Sequence, residues 1–237
     1  VPLYFALFGQ NNVKRIHNTG AAVYSDKHIE VAMMLDVTGS MGGQKIKDLK
    51  TAATNAVEAL FKNQNPSNPR VRAAIIPYAE AVNTGLLADT VFIEQKGGAD
   101  LPPPDDQPIL ASAASSTRPD KCATERKDKD GAADFTDDGP YTKRNNNAGK
   151  IYTARINRDD RISLVKDGRG VVVGTKCPKA EVIPLTTDKQ KLLDTITDFA
   201  ADGVTAGGIA AQWGYYMLSP KWRAAIQNAG AGDGPAD

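Results

Sequence analysis

A chain of 237 residues with 29 basic and 28 acidic side chains, net charge +1, can bury a core without staples and carries no electrostatic footprint for nucleic acid or anionic membrane. It fits one large domain or two small ones, and no run reaches the roughly eighteen apolar residues needed to span a bilayer. Its two cysteines, Cys122 and Cys177, cannot make a four-ligand zinc site, and His17 and His28 lie far from both in sequence. That leaves free thiols or one disulfide. Cys122 sits in polar text and Cys177 just before a proline, not inside apolar runs. This favours a disulfide, and with it an oxidising compartment. The chain begins at Val1 without a methionine, a basic leader or a cleavage site, and reads as a fragment or a processed product.

Residues 1–29 hold two short apolar stretches, at 3–8 and 21–24, that read as strands leading into the domain; such short runs also suit the stump of a helix. His17 and His28 lie in polar text and read as solvated surface. The stretch that organises the chain follows at 30–41. Residues 31–35 are an apolar run with the length of a strand buried on both faces. Asp36, Thr38 and Ser40 then stand at the strand's carboxyl end, where open α/β sheets bind ligands. One carboxylate and two hydroxyls at alternating positions are hard oxygen donors, the kind that magnesium, manganese or calcium takes. Gly39, Gly42 and Gly43 allow a sharp turn beside an ion. From Gln44 to residue 63 the pattern is helical, with Ile46, Leu49, Ala53, Ala56, Val57, Leu60 and Phe61 on one stripe.

Asp36-Val37-Thr38-Gly39-Ser40 resembles the Asp-x-Ser/Thr-x-Ser signature that opens the metal-ion-dependent adhesion site of von Willebrand factor A (VWA) domains. The resemblance implies a Rossmann-like α/β fold, a mostly parallel central sheet flanked by helices, and a divalent ion at this loop, Mg2+ or else Mn2+ or Ca2+. The same residues also resemble the aspartate loop of haloacid-dehalogenase-type phosphotransferases. Gly232-Asp233-Gly234-Pro235-Ala236-Asp237 resembles the late metal motif of that family. Against this second likeness, Val37 stands where the P-type ATPases of that group carry a lysine, and no apolar strand precedes Gly232. A third reading keeps Thr38 and Ser40 as helix caps of a metal-free scaffold.

After a stop at 63–69, residues 71–78 read as a strand and 81–87 as its hairpin partner, completing the first part of the domain, 30–87. Residues 88–180 exceed the bare VWA plan. They include a proline-rich stretch at 101–106, an Ala/Ser tract at 111–116, and a charged run at 125–130 that reads as a solvated face. Short strands are predicted at 151–156 and 170–174, within an insertion subdomain pinned by Cys122 and Cys177. Cys122-Ala123-Thr124-Glu125-Arg126 and Cys177-Pro178 resemble segments of the VWA-bearing, TadG-like proteins of bacterial tight-adherence pilus systems.

The second part of the domain, 181–237, opens with a strand at 180–185 and a helix capped by Thr187, with Gln190 completing a capping box. Leu192, Leu193, Ile196, Phe199 and Ala200 form its apolar face, and Gly203 ends it. In VWA domains a glycine-x-threonine in the next loop supplies another metal-site hydroxyl, and Thr205 matches it. The next helix bears Trp213 and Tyr216, read as core. Trp213-Gly214 and Leu218-Ser219-Pro220-Lys221-Trp222 again look TadG-like. The VWA plan continues with a strand ending in Thr-Asp-Gly, and no stretch of this sequence matches it, so the second part reads as incomplete.

The resemblance therefore implies a non-enzymatic, metal-dependent protein-binding domain of a pilus assembly protein, at the periplasmic or outer face of a bacterial envelope. Thr38, Ser40 and Thr205 would offer hydroxyls, and Asp36 would bind directly or through water. A carboxylate from a protein partner would fill an open position on the ion. Attachment to the membrane is implied only through an N-terminal anchor of TadG-like proteins, which no stretch here matches.

Overall fold

The computed structural model describes residues 28–88, 121–127, 135–140, 143–145, 151–153, 155–156 and 164–236. The strand-like stretches at 3–8 and 21–24, and the tracts at 101–106 and 111–116, lie outside the described residues. Strand β1 (Ile29–Asp36) and strand β2 (Val71–Tyr78) run parallel, from Ile29 beside Val71 to Asp36 beside Tyr78. Helix α1 (Gln44–Phe61) connects them, ending two positions before the 63 expected from sequence.

Period-two alternation along β2 divides the core into two layers. Ala73 and Ile75 face one side, where they meet Val57 and Phe61 of α1. Ala74 and Ile76 face the other, in a cluster with Trp213, Tyr216 and Trp222. A strand apolar on both faces needs cover on both, and helices supply it on each side. Helix α1 meets this demand with Ala53, Val57 and Phe61, one residue per turn of a single stripe.

The sheet is mixed, not mostly parallel as the resemblance implies. Among the described strands, β1–β2 is the parallel pair, beside a single parallel bridge between Asn83 and Glu181. Strand β3 (Val82–Asn83) turns back antiparallel on β2 through Tyr78 and Val82, and strand β4 (Cys122–Ala123) pairs antiparallel with β3. The partner expected over 81–87 is thus two residues long, followed by a 3-10 turn at Gly85–Leu87. The rest of that edge of β2 is taken from beyond the insertion. Strand β11 (Ile183–Thr186) lies antiparallel on it, with Ile183 beside Ile75 and Thr186 beside Ala73. The two half-strands meet where Val182 donates its N–H to the Asn83 carbonyl at 2.7 Å. A short reversal can only deliver an antiparallel neighbour, which accounts for β3; the direction of β11, which returns after the long insertion, is not set by its connection. The other edge of β1 carries no strand among the described residues, and Ile29 and Met34 there are about half exposed, at 50% and 48%.

Between these elements run short ribbons. Strands β5 (Arg126–Lys127) and β8 (Arg155–Ile156) pair, as do β6 (Lys143–Asn145) and β7 (Ile151–Thr153), and β9 (Leu164–Lys166) and β10 (Val172–Thr175). The single strand expected over 151–156 is therefore two, with different partners. Cys122 and Cys177 form a disulfide, closing the long excursion between β4 and β11. The charged run is not wholly a solvated face. Arg126 is fully buried, and its guanidinium donates to the carbonyls of Asp138 and Gly139 and lies over the Tyr216 ring.

Helix α2 (Lys189–Thr197) packs Leu192 and Ile196 against α1. Its cap is Asp188, whose carboxylate accepts from the Lys191 N–H, not the expected Thr187. Gln190 spends its amide on Asp194 instead of a capping box, and the Thr187 N–H goes to Asp233. Helix α3 (Gly207–Leu218) covers β1 and β2 on the other face, and α4 (Arg223–Asn228) follows a 3-10 turn at Pro220–Trp222. Trp213 and Tyr216 are core, as expected. Among the described residues no helix is long and apolar enough to cross a membrane.

Lys221, just past α3, donates to Asp137 at 2.8 Å and Asp138 at 3.2 Å, fastening the 135–140 segment. The hydrogen bond from Lys221 holds the Asp137 carboxyl below its ordinary range, and Asp137 in turn holds the Lys221 ammonium above its own. A depressed acid contributes fully above its unfolded pKa and loses that contribution as pH falls through the folded one. A raised base loses its contribution as pH rises through its folded pKa. The stability difference between the wild type and Lys221→Met is therefore expected to be flat from about pH 5 to 9 and to shrink on the acid side of about pH 4. Urea unfolding at pH 3 and pH 6 checks this.

Candidate metal centre

The site lies at the carboxyl end of β1, where the chain turns into α1. Asp36 ends the strand, and one of its carboxylate oxygens accepts the Thr38 N–H at 2.9 Å. This short loop fixes one carboxylate oxygen on the Thr38 backbone and holds Thr38, itself only 1% exposed. The Thr38 and Ser40 hydroxyls stand 3.1 Å apart. Thr205, in the loop before α3, donates its hydroxyl to Thr38 Oγ1, also at 3.1 Å. The structure thus links the hydroxyls of Thr38, Ser40 and Thr205, with the Asp36 carboxylate held on the Thr38 N–H of the same loop. Ser40 and Thr205 are exposed, so one side of the cluster opens to solvent.

The two loops are joined by backbone as well. Asp202 donates its N–H to the Val37 carbonyl, and Gly39 donates to the Gly203 carbonyl, both at 3.0 Å. Here the glycines have a stated purpose. A Cβ on Gly39 would stand 3.1 Å from the Gly203 oxygen, and Gly203 adopts φ +78°. Gly39 therefore serves the approach of the two loops. At the back of the site Tyr78 pairs with Asp36 across the strands, and burial, with the Asp36 charge adding to it, holds its phenol above the ordinary range.

The donor set fits a small hard cation. Neighbouring oxygens around an octahedral ion with bonds of about 2.1 Å stand about 3.0 Å apart, and about 3.4 Å apart for the longer bonds of calcium. The two hydroxyl separations of 3.1 Å are those of the hydrogen bonds these groups make to one another, and they do not select between the two ion sizes. Among the described residues no three His, Cys, Asp or Glu side chains converge as a metal-binding group. This candidate differs in kind, with one carboxylate and hydroxyls for the rest.

The tail motif is elsewhere. Asp233 accepts the Thr187 N–H at 2.7 Å and donates its own N–H to the Leu185 carbonyl, at the carboxyl end of β11. Since β11 runs antiparallel to β2, that is the end of the sheet opposite Asp36. The Ala236 N–H reaches Glu30 at the start of β1. Sequence reasoning missed Asp202 and Lys176, whose ammonium donates to Asp202 at 2.9 Å. The ion pair lowers the Asp202 pKa and raises that of Lys176. No local pattern marks this pair, because its members come from different segments.

Comparison of the chain with protein-family models, with curated proteins and with solved structures found no match in any of the three.

Proposed function

We propose that this chain is a non-catalytic, metal-dependent protein-binding domain. The observation that supports it best is the hydroxyl cluster of Thr38, Ser40 and Thr205 beside the Asp36 carboxylate, assembled from loops 167 positions apart. Those residues would hold Mg2+, Mn2+ or Ca2+. When bound, the ion supplies a Lewis-acid position on the open side of the site, to which a carboxylate of a protein partner can bind. The chain's own part is to fix the donors: the Thr38 N–H orients the acid, and Gly39 lets the Thr205 loop come close.

The pilus-assembly setting rests on the resemblance to TadG-like proteins alone. The Cys122–Cys177 disulfide agrees with a periplasmic or cell-surface location, since such bonds persist in oxidising compartments. A metal-free scaffold is the second reading, favoured by the hydroxyls' ability to satisfy one another. The phosphotransferase reading draws no support from the tail, because Asp233 sits at the far end of the sheet from Asp36.

An ion that binds only the native state must raise its stability, by about 2.7 kcal/mol at a concentration one hundred times the dissociation constant. Mn2+ or Mg2+ is therefore expected to raise the thermal midpoint relative to a chelator, and Asp36→Ala to abolish the rise. Equal midpoints with and without metal in the wild type would favour the scaffold.

A further inference from the structure

The loop that carries Thr205 is held from several sides. Asp202 and Gly203 bond to Val37 and Gly39 of the acid loop, and the Ala206 N–H donates to the Ala79 carbonyl at 3.1 Å. The remaining hold comes from the insertion. Lys176 Nζ reaches Asp202 at 2.9 Å, and the Lys176 carbonyl lies 3.5 Å from where a Gly203 Cβ would stand. Lys176 immediately precedes Cys177, which is bonded to Cys122. Cys122 is fully buried and packs with Ala81, just beyond the Ala79 that receives the loop. Asn83 secures the same segment by donating its side-chain amide to the Pro178 carbonyl at 3.0 Å. A covalent tether thus ends beside Asp202 and Gly203, in the loop that carries Thr205.

We infer that the disulfide-tethered segment 176–178, acting through the Lys176–Asp202 ion pair, is a positioning device that sets the Thr205 loop against Thr38 and so tunes the ion affinity of the site. The tuning of affinity rests on the metal-site reading; the positioning of the loop stands on geometry alone. Groups that orient donors from outside the coordination sphere commonly matter to affinity as much as a weak ligand does.

Lys176→Met separates this role from simple charge. Removing a cation near a metal site tightens cation binding if electrostatics alone acts. Loss of a positioning contact weakens it. In the full chain, Lys176→Met is expected to weaken Mn2+ binding about threefold, the scale of one exposed ion pair. Amide hydrogen exchange at Gly39 and Ala206 is expected to accelerate in the metal-free protein. Cys122→Ala combined with Cys177→Ala is expected to weaken Mn2+ binding about tenfold. Unchanged or tighter Mn2+ binding by Lys176→Met overturns the tuning, whatever the exchange shows. If the wild type and Asp36→Ala alike fail to bind Mn2+, the metal-site reading falls. Exchange at Gly39 and Ala206 then decides the positioning by itself: acceleration supports the tether and no change overturns it.

Discussion

Replacing Cys122 and Cys177 together by alanine is expected to lower the unfolding free energy by about 4 kcal/mol, and the thermal midpoint by roughly 8–16 °C. The bond spans 55 positions, so its loss returns considerable loop entropy to the unfolded chain. It also frees the segment that enters β11 from the one that enters β5. Cys122 lies on β4 at the margin of the main sheet, and β4 holds on through a pair with β3 only two residues long. The buried contacts around it, among them the Trp213 bond to Thr124 and the Arg126 bond to Gln212, hold the folded segment in place, so the expected loss is mainly the entropy returned to the unfolded chain. Denaturant unfolding of the oxidised wild type beside the double variant measures the effect. A loss below about 1 kcal/mol would mean that noncovalent contacts already close the loop in the unfolded ensemble.

Trp213→Ala is expected to cost about 3–5 kcal/mol, the range for emptying a large aromatic site in a core. Trp213 is fully buried at the centre of an aromatic group. Its ring centroid lies 5.7 Å from that of Tyr216 and 5.9 Å from that of Trp222. Tyr216 and Trp222 stack at 4.5 Å, with the Arg126 guanidinium above the tyrosine ring. The indoles also tie the insertion to the helices: Trp213 donates its N–H to the Thr124 carbonyl and Trp222 to that of Asp138, both at 2.9 Å. Truncation of Trp213 therefore opens a cavity and removes a buried donor together. Trp213→Phe separates the terms. It keeps most of the apolar area but removes the Thr124 bond, for an expected loss of about 1–3 kcal/mol. If alanine and phenylalanine cost the same in denaturant unfolding, packing at this position matters less than the structure implies.

Local features were the legible ones. The apolar run at 31–35, the oxygen donors just after it and the stripe of α1 all lie within a short window. There, strand period, turn residues and helix period act on neighbouring atoms, so sequence alone was enough to propose β1, its loop and α1. The cysteine pairing was legible for another reason, since only two thiols exist to pair. Trp213 and Tyr216 were legible as core from their place on an apolar helix. The direction of the sheet was not. The antiparallel strand on β2 comes from the far side of the insertion, and nothing near Ile183 states which edge it will find. Arg126 sits in a charged run that reads as surface. It is buried because Tyr216 and the carbonyls of Asp138 and Gly139 arrive around it from distant segments.

By itself, then, the sequence determined an α/β chain with oxygen donors at the end of the strand over 31–35 and a single possible disulfide; that this strand lies at a half-exposed edge instead of being buried on both faces was decided by the fold. The tertiary structure alone decided that the sheet is mixed, that the tail aspartate stands at the opposite end from Asp36, and that Lys176 reaches Asp202 beside Thr205. The physical reason is range. Backbone periodicity and turn chemistry act over a few residues, whereas edge pairing and ion pairs depend on which distant segments the packed core brings together.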